Sequence, residues 1–280
     1  MRVRRLFYAV KQYQGVDVLL AVIDPWLDEY ADVVREALAP LAAFGGWTRT
    51  EYEFGDLLET AYALSRVSDA LIYKLQPSLP PGSEIPWAHL VHEPERWPQV
   101  TRDQYLAVFT RFGMAPIGDV AFEPFFHEVV HVAQDEDPGA PVEITGTVWP
   151  GLMLGEMLFN RTGVTVRAGA RHLVAGIADR SLLHEVFARR YRATLDESLG
   201  WGSSSQWKTD FRRDYLTDAA FHFDVDEKPD SDLDFLGKPK GLTPAERADL
   251  VRHRCLTRPL QDPDAEPSPV PGGRLTLPRT

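Results

Sequence analysis

The chain has 280 residues, of which 44% are apolar and 25% charged, a composition typical of a soluble globular protein. Its formal net charge of −11 argues against a general nucleic-acid binder that relies on a basic surface. A single cysteine, Cys255, excludes an internal disulfide and favours a reducing cytoplasm as the compartment.

Apolar runs are too short for a membrane helix, which needs roughly 20 residues. The longest such run covers only residues 18–23. The basic start of the chain is followed by a brief apolar run, residues 6–10, which is too short for a secretory signal. We therefore expect a cytoplasmic protein that does not bind membranes. The abundance of Ala, Arg, Asp and Pro is typical of high-GC bacteria.

The first half of the chain is predicted to mix helices and strands. Apolar residues at helical spacing predict helices, and short runs rich in β-formers predict strands. The predicted helices are residues 24–44, 56–68 and 101–112, the predicted strands are residues 6–11, 16–24 and 70–75, and the proline-rich residues 76–86 are a predicted loop.

The second half follows the same pattern, with predicted helices at residues 151–160 and 181–191 and predicted strands at residues 164–167 and 219–225. Because helices and strands do not alternate regularly, we expect an α+β fold with a small, mostly antiparallel sheet. The compact domain is placed at residues 1–225. Residues 226–280 are read as an acidic linker, a short helix that begins with a capping box at residues 243–246, and a proline-rich tail.

The strongest functional motif is the pair His127 and His131 with Glu128 and two valines between them. On a helix, histidines four residues apart share a face and can bind one cation, and the glutamate can activate a metal-bound water. The same residues are also good strand material, in which the histidines would be ordinary half-buried side chains. Both interpretations stay open at this point.

A third ligand candidate is Glu156, because a lone carboxylate in so apolar a segment is costly to bury unless it is paired or coordinated. With these residues the chain resembles the zincin metallopeptidases, in particular the gluzincins. The resemblance implies zinc held by His127, His131 and Glu156, with Glu128 as the general base. It also implies a Tyr or His that stabilises the oxyanion, for which Tyr215 and His222 are candidates. Asp137 is an alternative ligand.

Residues 200–215 form a second candidate site, rich in glycine, serine and cationic side chains. Such a segment can bind a carboxylate, phosphate or sulfate. The alternative is a loop whose arginines pair with Asp210 and Asp214. The proposed substrate-binding residues are Ser203, Gln206, Lys208, Arg212 and Arg213.

A facial iron site at His222 and Asp224 is a further alternative, although it lacks an obvious second histidine.

Three functions follow from these motifs. The first is a zinc-dependent hydrolase that attacks an amide or peptide carbonyl with a metal-bound water. The second is a metal-free transferase or lyase of bacterial specialised metabolism that holds an anionic substrate or leaving group at residues 200–215. The third is a non-catalytic partner subunit whose acidic tail binds another protein.

Overall fold

The computed structural model describes residues 2–46, 51–78, 97–180, 183–184, 186–192, 194–195, 211–226, 243–253 and 273–279. Within these ranges the fold is α+β, as the sequence predicts. No described helix combines the length and the apolar character needed to cross a bilayer.

Helices dominate the N-terminal part of the chain. They are α1 (Arg2–Gln12), α2 (Asp24–Leu38), α3 (Glu51–Ile72), α4 (Arg102–Thr110) and, near the C-terminus, α5 (Pro244–His253). The predicted helices at residues 24–44, 56–68 and 101–112 are confirmed by α2, α3 and α4. The predicted helix after residue 243 is confirmed too, and Thr243 and Glu246 form its capping box.

The three predicted strands at residues 6–11, 16–24 and 70–75 are wrong. Residues 6–11 belong to α1, whose buried side chains Val3, Leu6, Phe7 and Val10 follow helical spacing. A π-helical turn, Leu19–Ile23, leads into α2. α3 continues through Ile72 into a 3₁₀ turn. Its residues 61–72 are buried at every position except Ser65, so this part of the helix carries no exposed polar stripe.

Three sheets are described. Their strands are β1 (Ala115–Pro116), β2 (His127–Gln134), β3 (Glu143–Trp149), β4 (Leu152–Leu154), β5 (Met157–Asn160), β6 (Thr162–Ala168), β7 (Leu183–His184), β8 (Thr194–Leu195), β9 (Asp214–Leu216), β10 (Ala220–Phe223) and β11 (Leu275–Pro278). The largest sheet is antiparallel throughout, in the order β1-β4-β5-β9-β10-β11. In the second sheet β6 lies between β2, its parallel neighbour, and β3, its antiparallel neighbour. β7 and β8 pair in parallel.

The predicted helix at residues 151–160 is wrong, because β4 and β5 form a hairpin there. Gly155 in the turn has a φ of 56°, which favours glycine. The turn also lies against the backbone of Ala42, whose carbonyl accepts a hydrogen bond of 2.7 Å from the Glu156 N–H. The backbone of Ala42 leaves no room for a Cβ at position 155.

The predicted helix at residues 181–191 is also wrong in its described part. Residues 183–184 form β7, and residues 186–192 have no regular structure. Side chains from elsewhere bind this backbone: the Ala188 N–H donates to the Asp69 carboxylate and the Arg190 N–H to the Gln76 amide oxygen. These tertiary hydrogen bonds override the local helical pattern.

The main core joins the N-terminal helices to the β4–β5 hairpin and to residues 187–191. Smaller clusters lie on the second sheet and around Phe125 and Phe223. The predicted strand at residues 219–225 is confirmed as β10, which pairs with β11 from the C-terminal extension. The domain boundary near residue 225 stays a prediction.

Candidate functional site

The His127–His131 pair lies on strand β2, so the helical interpretation of the motif is wrong and the strand interpretation holds. Valines 129, 130 and 132 favour a strand because β-branched side chains pack well on a pleated surface. The pairing of β2 with β6 shifts register between Val129 and His131. This irregularity interrupts the alternation of side chains between the two histidines.

The two imidazoles have different surroundings. The His127 ring is buried, stacks on Phe122 at a centroid distance of 5.7 Å, and its Nδ1 lies 3.0 Å from the Glu123 carbonyl oxygen. Burial lowers the pKa of His127. The His131 side chain is 66% exposed, with its Nδ1 3.7 Å from a carboxylate oxygen of Asp179.

The third expected ligand, Glu156, lies in the exposed turn of the β4–β5 hairpin, and its carboxylate accepts a hydrogen bond of 2.8 Å from the Phe44 N–H. In the part of the chain that the structure describes, no group of three or more His, Cys, Asp or Glu side chains is arranged to hold a metal ion. His127, His131 and Glu156 thus have separate contacts, and the zinc site that the resemblance implies stays a prediction.

The buried His127 predicts a pH dependence of stability. Because its pKa is lower in the folded chain than the ordinary value of 6.5, the unfolded chain takes up the proton first. The free energy of unfolding should therefore decrease as the pH falls below about 6.5. His127→Gln should weaken this dependence in urea titrations between pH 5 and 8, with His131→Gln as the surface control. An unchanged slope in His127→Gln would contradict the placement of this ring.

Glu128, the expected general base, lies in a buried cluster of charged side chains. The Arg189 guanidinium donates to both Glu128 carboxylate oxygens, from Nε at 2.9 and 3.1 Å and from Nη2 at 2.9 Å. Its Nη1 donates to Asp69 Oδ1 at 2.7 Å. One guanidinium thus joins two carboxylates, from β2 and α3, and the Arg189 and Glu128 side chains are only 1% and 3% exposed.

Tyr191 and Arg192 complete this cluster. The Tyr191 hydroxyl donates to Glu128, and Arg192 Nε lies 3.9 Å from the same carboxylate. Burial alone would raise the pKa of Glu128, but Arg189 and Arg192 outweigh it and hold the pKa below its usual range. Glu128 is therefore an ion-paired carboxylate that is poorly suited to accept a proton from water.

The pKa of Asp69 is shifted in the opposite direction from that of Glu128. Burial raises the pKa of the Asp69 carboxyl, Arg189 opposes this, and the neighbouring Glu128 charge adds to the increase. Its remaining described partner is the Ala188 N–H, which donates to Oδ2 at 3.0 Å. The negative charge on Asp69 is thus less completely compensated than that on Glu128.

A cavity of about 90 Å³ opens beside this cluster, between α3, β2, β5 and residues 186–189 and 211–214. A water molecule occupies roughly 10–15 Å³ on this scale, so the cavity has room for several waters or for one small molecule. Its lining combines ionic, hydroxyl, amide and apolar groups: Ser65, Ser68, Asp69, Glu128, Leu158, Phe159, Asn160, Arg161, Val186, Arg189, Phe211, Arg212 and Asp214.

One end of the cavity holds two arginines that share a carboxylate. Arg161 Nη2 donates to Asp214 Oδ2 at 2.9 Å, and Arg212 Nε donates to Asp214 Oδ1 at 2.6 Å. Burial lowers the pKa of Arg161, and although Asp214 opposes this effect, the nearby Arg212 charge reinforces it. We call this group, Arg161, Arg212 and Asp214, the guanidinium end.

Arg161 has hydrogen-bonding capacity left at this end. Its Nε donates to the Pro124 carbonyl oxygen at 3.0 Å and its Nη2 to Asp214, whereas its Nη1 has no acceptor among the described residues. Asn160, the preceding residue, donates from Nδ2 to the Tyr105 hydroxyl at 3.2 Å, and Ser68 Oγ lies 2.8 Å from the same hydroxyl. The cavity wall is therefore polar and held in place by a buried network.

The other expected site residues are distributed as follows. Ser203, Gln206 and Lys208 lie outside the described residues, as do Asp210 and the rest of residues 201–210. Arg212 lines the cavity. Its ion pair with Asp214 agrees with the alternative interpretation of residues 200–215, a loop whose arginines pair with neighbouring aspartates. Arg213 pairs instead with Asp226 and lies 3.4 Å from the Tyr215 hydroxyl.

Tyr215 and His222 face each other on paired strands near the hairpin turn of Glu156. They are register partners in β9 and β10, and the Phe44 ring stacks on His222 at 4.0 Å and packs against Tyr215 at 5.5 Å. The His222 ring nitrogens lie 3.2–3.3 Å from the hydroxyls of Thr217 and Thr276. Neither Tyr215 nor His222 belongs to the lining of the cavity that contains Glu128.

Sequence reasoning missed Asp69, Asn160, Arg161 and Arg189. The sequence does contain a sign that Asp69 is buried and paired, since this carboxylate stands in the apolar stretch of residues 67–72. Arg189 and Arg192 belong to a basic run that an exposed helix end would also carry, so nothing local marks them as buried.

Comparisons with protein-family models, curated proteins and solved structures find no match for this chain.

Proposed function

We propose that this chain binds a small anionic molecule, with a carboxylate, phosphate or sulfate group, at the guanidinium end of the cavity. The observation that carries the proposal is the sharing of one carboxylate, Asp214, by Arg161 and Arg212 at the cavity wall. Two guanidinium groups at one cavity wall provide the charge-assisted hydrogen-bond donors that oxyanions bind.

The geometry of the donors supports an oxyanion in particular. A guanidinium binds carboxylate and phosphate oxygens through parallel N–H groups, and Arg161 has an Nη1 without an acceptor among the described residues. The Arg161 side chain is 16% exposed, so a bound anion would be largely shielded from water. Electrostatic attraction is stronger in such a site than at the surface.

This binding site suits the transferase or lyase hypothesis, in which the anion is the substrate or the leaving group. Arg212 is one of the residues on which that hypothesis depends, and it lines the cavity. The zinc-hydrolase hypothesis receives no support from the placement of His127, His131 and Glu156.

The proposal predicts that small oxyanions stabilise the folded chain. Melting temperatures should be measured in phosphate, sulfate and propionate at constant ionic strength. A bound anion at about 100 times its Kd raises the free energy of unfolding by about 2.7 kcal/mol, and at least one of the three should show this behaviour. Asn160→Asp should abolish the effect, because it places a negative charge next to Arg161 with almost no change in volume.

Gln12→Glu is the charge-matched control, since it adds the same charge at the exposed end of α1. It should keep the stabilisation by the anion. If none of the three anions stabilises the wild-type chain, or if Asn160→Asp responds as strongly as Gln12→Glu does, the proposed function is wrong.

A further inference from the structure

One wall of the cavity is backed by a short chain of hydrogen bonds between neutral side chains. The Tyr105 hydroxyl lies at its centre: Asn160 Nδ2 donates to it at 3.2 Å, and Ser68 Oγ lies 2.8 Å from it. Ser68 and Asn160 line the cavity, whereas Tyr105 is fully buried and does not belong to the lining. Because Asn160 directly precedes Arg161, this wall adjoins the proposed anion site.

The direction of these hydrogen bonds follows from the buried Tyr105 hydroxyl. Burial raises the pKa of Tyr105, so the phenol keeps its proton at neutral pH. A buried hydroxyl proton without an acceptor is costly, and among the described residues Ser68 Oγ is the acceptor within reach. Tyr105 therefore donates to Ser68 while it accepts from Asn160. The hydroxyl proton of Ser68 is then left without an acceptor in the described part of the chain.

Asn160 offers the complementary group. Its Nδ2 is bound to Tyr105, and its Oδ1 has no donor among the described residues. The wall thus presents to the cavity one unused O–H donor, on Ser68, and one unused carbonyl acceptor, on Asn160. Turning the Asn160 amide over would exchange the two roles and would again leave one donor and one acceptor.

A hydroxyl group on the ligand matches this pair, because a hydroxyl accepts one hydrogen bond and donates another. A simple carboxylate or sulfate only accepts hydrogen bonds and would leave Asn160 Oδ1 without a donor. The apolar part of the lining, Leu158, Phe159, Val186 and Phe211, offers no competing hydrogen-bonding side chain, and the cavity of about 90 Å³ admits only a small molecule.

We propose that the ligand is a small anion that carries a hydroxyl group, such as a hydroxy carboxylate or a hydroxyalkyl phosphate or sulfate. Its charged group lies at Arg161, and its hydroxyl accepts from Ser68 and donates to Asn160. This inference rests on the proposed function, since it assumes that the guanidinium end binds an anion. It adds a second recognition point and thereby the class of ligand.

Pairs of probes that differ by one hydroxyl group test the inference on the wild-type chain. They are lactate (each enantiomer) and propionate, 2-hydroxyethyl phosphate and ethyl phosphate, and 2-hydroxyethyl sulfate and ethyl sulfate. In the pair whose parent anion binds, isothermal titration calorimetry at pH 7 should give the hydroxylated member a Kd at least about fivefold lower, because it forms additional hydrogen bonds. The uncharged 1,2-propanediol should bind more weakly than either member.

Ser68→Ala removes the hydroxyl donor and keeps the anion site. The preference for the hydroxylated member should fall to less than about twofold, while the Kd of the parent anion changes by less than about twofold. Ser65→Ala is the matched control, because Ser65 also lies on α3 and lines the cavity, but its hydroxyl donates to the Tyr62 carbonyl oxygen at 2.7 Å. This variant should keep the wild-type preference.

The outcomes separate the two proposals. If the parent anion binds the wild type as tightly as its hydroxylated partner, or if Ser68→Ala keeps the same preference as Ser65→Ala, the hydroxyl inference is overturned and the anion site stands. If no member of any pair binds, or if 1,2-propanediol binds as tightly as the hydroxylated anions, the anion site itself is wrong. Should Ser68→Ala fail to fold, the pairs on the wild-type chain decide alone.

Discussion

Replacing Arg189 by methionine is expected to lower the free energy of unfolding by about 3–5 kcal/mol, because it leaves two buried carboxylates without their shared partner. Asp69 and Glu128 both receive hydrogen bonds from this guanidinium, and the Arg189 side chain is 1% exposed. Methionine retains much of the packing volume, so the decrease in the free energy of unfolding reflects mainly the lost charge and hydrogen bonds. This decrease can be measured by urea unfolding monitored by circular dichroism.

Arg111→Met is the matched control, because Arg111 forms an ion pair with Asp28 in which both side chains are about half exposed or more. Exposed pairs of this kind contribute about 0–1 kcal/mol. A loss in Arg189→Met no larger than in Arg111→Met would show that the buried cluster is not formed as described.

The pH dependence of this difference provides a second check. In the wild type Glu128 has a lowered pKa, so its contribution to stability is present above the ordinary value of 4.5 and is lost as the pH falls below it. The difference in the free energy of unfolding between the wild type and Arg189→Met should therefore become smaller as the pH falls below about 4.5.

Gly163→Ala is expected to destabilise the chain by about 1–3 kcal/mol through overpacking. Gly163 lies in β6 between Glu128 of β2 and Trp149 of β3. A Cβ at this position would lie well under 3.0 Å from the Trp149 ring, which is fully buried. The ring lies against the Arg189 guanidinium at 5.1 Å, so its displacement should also disturb the charged cluster.

Gly146→Ala is the control for this substitution, because its Cβ would meet only the Thr165 hydroxyl, at 3.0 Å. A hydroxyl can rotate, whereas a buried indole cannot move without shifting its neighbours. Adding Trp149→Phe to Gly163→Ala should recover part of the lost stability. Equal melting temperatures for the two single alanine variants would contradict the packing of Trp149 on Gly163.

Much of the fold could be predicted from local patterns, and the failures have identifiable causes. The helices α2 and α4 and the capping box before α5 follow from periodicity and from residues that satisfy helix ends. The segment from Leu6 onward is too short to show the helical period of α1, which becomes visible only when Val3 is included. The hairpin at Gly155 depends on contact with Ala42, which no local pattern shows.

The candidate site was less predictable, because its residues come together only in the tertiary structure. Glu128 stands between two histidines in the sequence, but its partners Arg189 and Tyr191 are 61 and 63 residues away along the chain. The sequence predicts Arg212 as an anion-binding residue, and the structure places it at the cavity. Its neighbour Arg161 stands alone in sequence, with nothing to mark it.

The most direct test of anion binding at Arg161 and Arg212 is anomalous diffraction from crystals soaked in selenate, an oxyanion whose selenium can be located directly. If an anion binds there, an anomalous peak should lie inside the cavity, within hydrogen-bonding reach of the Arg161 guanidinium and beside Arg212, and it should be absent from Asn160→Asp crystals. A cavity without a peak, while Arg161 and Arg212 still share Asp214, would contradict anion binding at this end of the cavity.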